Sequence, residues 1–147
     1  MSVDVITGAD IARPPAEVFA YATDPDHAPE WYVNIKSVEW KTPKPLAVGS
    51  HITFNAQFLG RRLEYTYEVT ELVPNERFVM RTAQGPFPME TSYTFARNED
   101  GSTHMTLRNR GNPSGFAAVL TPFMAGAMRK ANQKDLALLK RIVESST

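Results

Sequence analysis

Cysteine is absent from all 147 residues. Disulfides, thiolate metal sites and a cysteine nucleophile are therefore excluded. An excess of either charge is also missing, since sixteen basic residues balance sixteen acidic ones. Nucleic-acid binding needs a basic surface, so that partner is not expected, a local patch aside. No apolar run approaches the ~18 residues that would cross a bilayer, so no membrane span is expected. The opening residues, Met1 to Asp10, lack a basic stretch followed by an apolar one and do not read as a signal peptide. A cytoplasmic location is the expectation. There is no Gly-x-Ser-x-Gly elbow, P-loop or dinucleotide fingerprint, and no cofactor is expected. Asn112-Pro113-Ser114 has proline in the middle position, which disqualifies it as a glycosylation site. Internal repeats, low-complexity tracts and linkers are missing, so residues 1–147 read as one domain.

Period-two alternation dominates what is present. Val3, Val5, Thr7, Ala9 and Ile11 share one face of a first strand. A second strand is read from about Ile35 to Trp40, followed by a proline-containing loop, Lys41 to Val48. From His51 to Arg110 five strand-like runs follow. Ile52, Phe54, Ala56 and Phe58 oppose Thr53, Asn55 and Gln57; Leu63, Tyr65, Tyr67 and Val69 oppose Glu64, Thr66 and Glu68. Phe78 and Met80 share a face within Arg77 to Thr82. Phe87, Met89, Thr91, Tyr93 and Phe95 form the next inner face, then Met105, Leu107 and Asn109. One apolar and one wet face indicate an antiparallel sheet. Turn chemistry at Gly60-Arg61, Pro74-Asn75, Gln84-Gly85-Pro86 and Asn98 to Gly101 makes the runs a meander.

Two short helical pieces interrupt the first two strands. Arg13-Pro14-Pro15 ends the first strand and opens a helix with Val18, Phe19 and Ala22 inward. Asp24-Pro25 repeats the device, an aspartate cap and then proline, for a second piece ending near Trp31. Asn112-Pro113 starts a closing helical region that extends to about Glu144. Thr121-Pro122 predicts a kink or break there, because proline removes a donor and clashes with the preceding turn. The segment before it would form a movable lip. After the break, Phe123, Met124, Ala127, Met128, Ala131, Leu138, Leu139 and Ile142 are expected inward, with Arg129, Lys130, Lys134, Lys140 and Arg141 in water.

The run Ile11-Ala12-Arg13-Pro14-Pro15-Ala16-Glu17-Val18-Phe19, then Asp24-Pro25 and Glu30-Trp31, resembles the N-terminal signature of the START-like, or SRPBCC, superfamily. Val48-Gly49-Ser50 before a strand and the closing helix are also typical. The resemblance spans almost the whole chain. It implies an α+β helix-grip fold like that of birch-pollen-allergen-type and polyketide cyclase/dehydratase-like proteins. In that fold a curved antiparallel sheet of about seven strands wraps a long C-terminal helix, with two short helices between strands 1 and 2. Members include lipid and hormone carriers, aromatase/cyclases, oxygenase domains and co-chaperone-like proteins. The shared motif is structural, so it transfers no catalytic residue to this chain.

One helix cannot fill a broad curved sheet, so a cavity is expected between them. The expected occupant is a hydrophobic or aromatic small molecule, lipid- or polyketide-like. Tyr65, Tyr67, Tyr93 and Asn109 would orient it; Phe54, Phe58, Met89, Met105, Leu107, Leu120, Phe123 and Met124 would enclose it. Buried hydroxyl and amide groups need partners, and methionine suits an adaptable apolar wall. Each such residue also fits a plain packed core. A cyclase/dehydratase-type enzyme in the same cavity is the alternative, and its obstacle is that the acids and bases point outward: Glu64, Glu68 and Glu90 fall opposite the apolar face. His27, His51 and His104 match no compact ligand spacing, and no metal is expected. His27 and Glu30 are the polar pair nearest the expected cavity mouth. A protein-interaction module, with which a homodimer is compatible, is the third reading; the Thr-, Glu- and Arg-rich outer face weakens it.

Overall fold

The computed structural model describes residues 3–58, 60–84, 88–112 and 121–145. Seven strands form one sheet: β1 Val3–Ile11, β2 Ile35–Trp40, β3 His51–Phe58, β4 Arg61–Val73, β5 Arg77–Gln84, β6 Met89–Arg97 and β7 Thr103–Gly111. Their order is β1-β7-β6-β5-β4-β3-β2. Every neighbouring pair is antiparallel. The strands β2 to β7 are thus the expected meander, and β1 closes the far side against β7. Turn residues behave as their chemistry requires. Asn75 (φ 64°) occupies the left-handed region between β4 and β5, and Gly101 (φ 87°) does so between β6 and β7.

Curvature comes from irregular pairing. The β4–β5 register shifts between Thr66 and Tyr67 and again between Val69 and Glu71; the β2–β3 register shifts between Ile35 and Ser37. Such bulges bend a strand and increase its twist. The bent sheet leaves a concave face for the helices.

Two short helices lie between β1 and β2: α1 Pro15–Ala22 and α2 Ala28–Trp31, joined by a 3₁₀ turn at Pro25–His27. Pro15 takes the first helical position of α1, which buries Val18 and Ala22. Asp24 caps the 3₁₀ turn by accepting the Asp26 N–H at 3.0 Å. Trp31 ends α2 with no exposed surface and meets Tyr93 edge-on, ring centroids 5.8 Å apart. The closing helix, α3, runs Thr121–Ser145. The helical start expected at Asn112-Pro113 and the lip before Thr121 fall on residues 113–120, outside the described residues, as does Phe87.

α3 packs across β1, α1 and α2. Its C-terminal half buries Leu136, Leu139 and Val143 in the core cluster that also holds Ile11, Met105 and Leu107 of the sheet. Its end is pinned to the β1–α1 corner. Glu144 accepts the Ala12 N–H at 2.7 Å, Lys140 Nζ donates to the Asp10 carbonyl at 2.8 Å, and the Arg13 guanidinium donates to the Glu144 carbonyl. A cation at this end also suits the helix dipole. The convex face of the sheet carries ion pairs. Arg108 grips Asp4 through two bonds, and Arg81 and Arg110 flank Glu90. Among the described residues no helix is long and apolar enough to cross a membrane.

Candidate functional site

A cavity of about 150 Å³ lies between the concave face and the first half of α3. β3 and β4 supply Phe54, Ala56, Leu63, Tyr65 and Tyr67; β5 and β6 supply Met80, Met89, Thr91 and Tyr93; β7 supplies Asn109. Tyr32, Asn34 and Ile35 close one side from the α2–β2 junction, and α3 contributes Met124, Met128, Ala131, Asn132 and Asp135. The strand alternation turns these side chains to the concave face. A cavity of this order is enough for a single aromatic ring when its walls are apolar.

Of the residues expected to contact a ligand, Phe54, Tyr65, Tyr67, Met89, Tyr93, Asn109 and Met124 line the cavity together. Met105 and Leu107 do not. Both are fully buried members of the core cluster that also holds Leu136 and Leu139. Phe123 is a correction: it is 74% exposed. The helix turns 100° per residue, so with Met124, Met128, Ala131 and Asp135 facing the cavity, Phe123 is carried off that face. Leu120 and the side chain of Phe58 lie outside the described residues. His27 and Glu30 are not in the cavity wall. They form an exposed cluster in which Tyr21 donates to Glu30 at 2.6 Å and stacks on His27. Among the described residues no group of three His, Asp or Glu side chains is placed to hold a metal.

The polar contacts of the wall are short and mostly neutral. Tyr32 and Tyr93 hydroxyls meet at 2.7 Å, and Thr91 donates to Asn109 Oδ1 at 2.7 Å. Burial pushes the phenol of Tyr65 up to about 12, and raises Tyr32, Tyr67 and Tyr93 as well. All four stay protonated at neutral pH.

Asp135 overturns the expectation that acids face water. Its side chain is 2% exposed and lines the cavity, and Oδ1 accepts the Val33 N–H at 2.9 Å. Burial pushes its carboxyl up to about 6, against the opposing pull of the Val33 bond. No Lys, Arg or His stands among the described residues of the wall. Asn132, one helical turn earlier, is 6% exposed, and its Nδ2 has no hydrogen-bond partner. Sequence inspection for apolar positions passed over both. Their signal is phase: they sit at the spacing of Met128, Ala131, Leu136 and Leu139, so they share the inward stripe.

Residues 2–144 match the family model described as polyketide cyclase / dehydrase and lipid transport. The chain belongs to that family. Among curated proteins no sequence matches the chain. Several solved structures share its START-like helix-grip fold. A START superfamily protein from Mycobacterium smegmatis superposes with a TM-score of 0.84 at 15% identity, covering 98% of this chain and 99% of that one. The Zhui aromatase/cyclase from a Streptomyces species gives 0.81 at 14% identity, covering 98% and 94%. A protein from Thermus thermophilus gives 0.83 at 19% identity, covering 97% and 99%. At these identities the likeness is one of fold.

Proposed function

We propose that this family member binds a hydrophobic or aromatic small molecule between the concave sheet face and the first half of α3. The observation that carries the reading is the wall itself. Aromatic and methionine side chains surround a space of single-ring size, and a few polar groups converge on it. Small-molecule sites have that composition: mostly apolar, with sparse placed polar groups. The residues proposed to orient the ligand are Tyr65, Tyr67, Tyr93 and Asn109, with Tyr32 added by its bond to Tyr93. Those proposed to enclose it are Phe54, Met80, Met89, Met124 and Met128. A thermal-shift screen of one- and two-ring compounds tests this. A true ligand at a hundred times its Kd stabilises the protein by about 2.7 kcal/mol. A screen in which no apolar compound raises Tm would defeat the reading.

A second reading, cyclase- or dehydratase-type chemistry in the same cavity, is favoured by Asp135. One solved structure of this fold is named an aromatase/cyclase. A carboxyl whose pKa is raised to about 6 can hold or release a proton near neutral pH, which general acid–base catalysis requires. It would take a proton from carbon next to a substrate carbonyl while the Tyr32–Tyr93 hydroxyl pair donates to the carbonyl oxygen as charge develops there. Turnover of a polyketide-like ketone that Asp135→Asn abolishes while binding persists is the expected result for an enzyme. Equal turnover by that variant rules out this role.

A further inference from the structure

α3 brings one carboxyl into the cavity, and the described wall holds no cation to meet it. Asp135 Oδ1 accepts the Val33 N–H at 2.9 Å, while Oδ2 has no partner among the described residues. Oδ2 is not sealed off either. Among the described residues, the unpartnered side-chain atoms cut off from open space are Trp31 Nε1 and Asn132 Nδ2, and Asp135 Oδ2 is not one of them. A group in the cavity can therefore reach it. The surroundings add no positive charge. The Asp135 charge acts on the phenols of Tyr32, at the end of α2, and Tyr93, on β6. The other titratable groups of the described wall are Tyr65 and Tyr67, and the sheet side also carries the neutral Thr91 and Asn109. Lys134, beside Asp135 in the chain, is exposed and is turned about 100° away around the helix. Five aromatic side chains share the cavity with this carboxyl: Tyr32, Phe54, Tyr65, Tyr67 and Tyr93. The face of an aromatic ring carries negative partial charge and attracts a cation. A carboxylate ligand would meet repulsion from Asp135 here, and an organic cation would meet a counter-ion and a wall that offsets its desolvation.

We infer that the cavity takes a lipophilic organic ammonium ion, an apolar or aromatic body held by the aromatic and methionine wall with one protonated amine set on Asp135 Oδ2. The inference rests on the small-molecule-binding reading above and narrows it to a ligand class. It carries a pH dependence. Burial pushes the Asp135 carboxyl up to about 6, so the counter-ion is largely neutral at pH about 5 and ionised at pH about 7.5. An ammonium partner favours the ionised form, so binding tightens as pH rises across that range. The four phenols stay protonated throughout it.

The test is a titration of the full chain with benzylamine, ethylbenzene, benzyl alcohol and phenylacetate, read by NMR from the methyl resonances of Met80, Met89, Met124 and Met128, which line the cavity. Benzylamine carries an ammonium where ethylbenzene carries a methyl group, and it stays protonated at pH about 5 and at pH about 7.5. At the higher pH benzylamine is expected to bind at least about tenfold more tightly than ethylbenzene or benzyl alcohol, and phenylacetate more weakly than all three. Lowering the pH to about 5 weakens benzylamine roughly tenfold, as the carboxyl takes up its proton, and leaves ethylbenzene unchanged. Asp135→Asn removes the advantage of benzylamine over ethylbenzene. The wild-type pH series decides the matter even where that variant fails to fold. Ethylbenzene, benzyl alcohol or phenylacetate binding as tightly as benzylamine at the higher pH overturns the inference. So does a benzylamine affinity that does not change with pH, or benzylamine binding that leaves the four methyls unmoved. Ethylbenzene binding that moves those methyls keeps the broader reading in each case. Failure of all four compounds to bind overturns both.

Discussion

A carboxyl that is 2% exposed and lacks a facing cation among the described wall residues is expensive to keep ionised, and Asp135 is such a group. Its pKa is about 6 when folded and 3.8 in an unreactive setting. The protonated form is the one that folding favours, so the group's stabilising contribution is full below pH 3.8 and is lost as pH rises through about 6. At neutral pH the shift corresponds to a penalty of about 3 kcal/mol. Asp135→Asn keeps the shape and an acceptor for the Val33 N–H without the charge. The variant should therefore raise Tm by several degrees at pH about 7.5, and the gain should vanish at pH about 4. Thermal unfolding of both proteins at the two pH values measures it. An equal effect at both would mean that Asp135 is not desolvated. A gain at pH about 7.5 alone would mean that Asp135 costs stability at neutral pH, as fits a residue of the proposed ligand site.

At the scale of the element, α3 is where sequence and structure part. The strands were legible because alternation has period two and a single phase error would turn every side chain to the wrong side. Tyr65, Tyr67, Tyr93 and Asn109 fell on the inner face for that reason. Helical phase is softer. The inward stripe includes Asn132 and Asp135, and a search for apolar residues shifts the stripe toward Phe123 and Ile142. The bulges in β4 were also hidden, since a bulge is set by pairing with β5 and not by local composition. Without the bend, the sequence could place residues on a face but not divide that face into cavity and core. Met105 and Leu107 landed in the core for this reason. The phase of α3 has a direct check. Met124 is 7% exposed and Phe123 is 74% exposed. Met124→Ala should cost about 2 kcal/mol of unfolding free energy, and Phe123→Ala should stay within about 0.5 kcal/mol. Urea titrations with the reverse order of effects would show that the helix is rotated.

For the whole molecule, the two halves of α3 have different jobs. The C-terminal half is core. Leu136, Leu139 and Val143 are buried, and Glu144 and Lys140 tie the end to residues 10–13. The N-terminal half bridges a space, with Met124, Met128 and Ala131 facing the cavity instead of a filled core. Local opening free energy follows buried contact, so the first half should open more readily than the second. A ligand in the cavity adds contacts where they are lacking. At a hundred times its Kd it should slow exchange of backbone amides in Met124–Asp135 by up to roughly a hundredfold, while amides of Leu139–Glu144 change little below the global unfolding limit. Hydrogen exchange read by mass spectrometry, with and without the best compound of the thermal screen, resolves the two segments. Protection centred on the convex strand faces, or uniform along α3, would place the ligand elsewhere. Protection confined to the first half of α3 and to β3 and β4 would tie binding to the space under that half, where Met124, Met128 and Ala131 line the cavity.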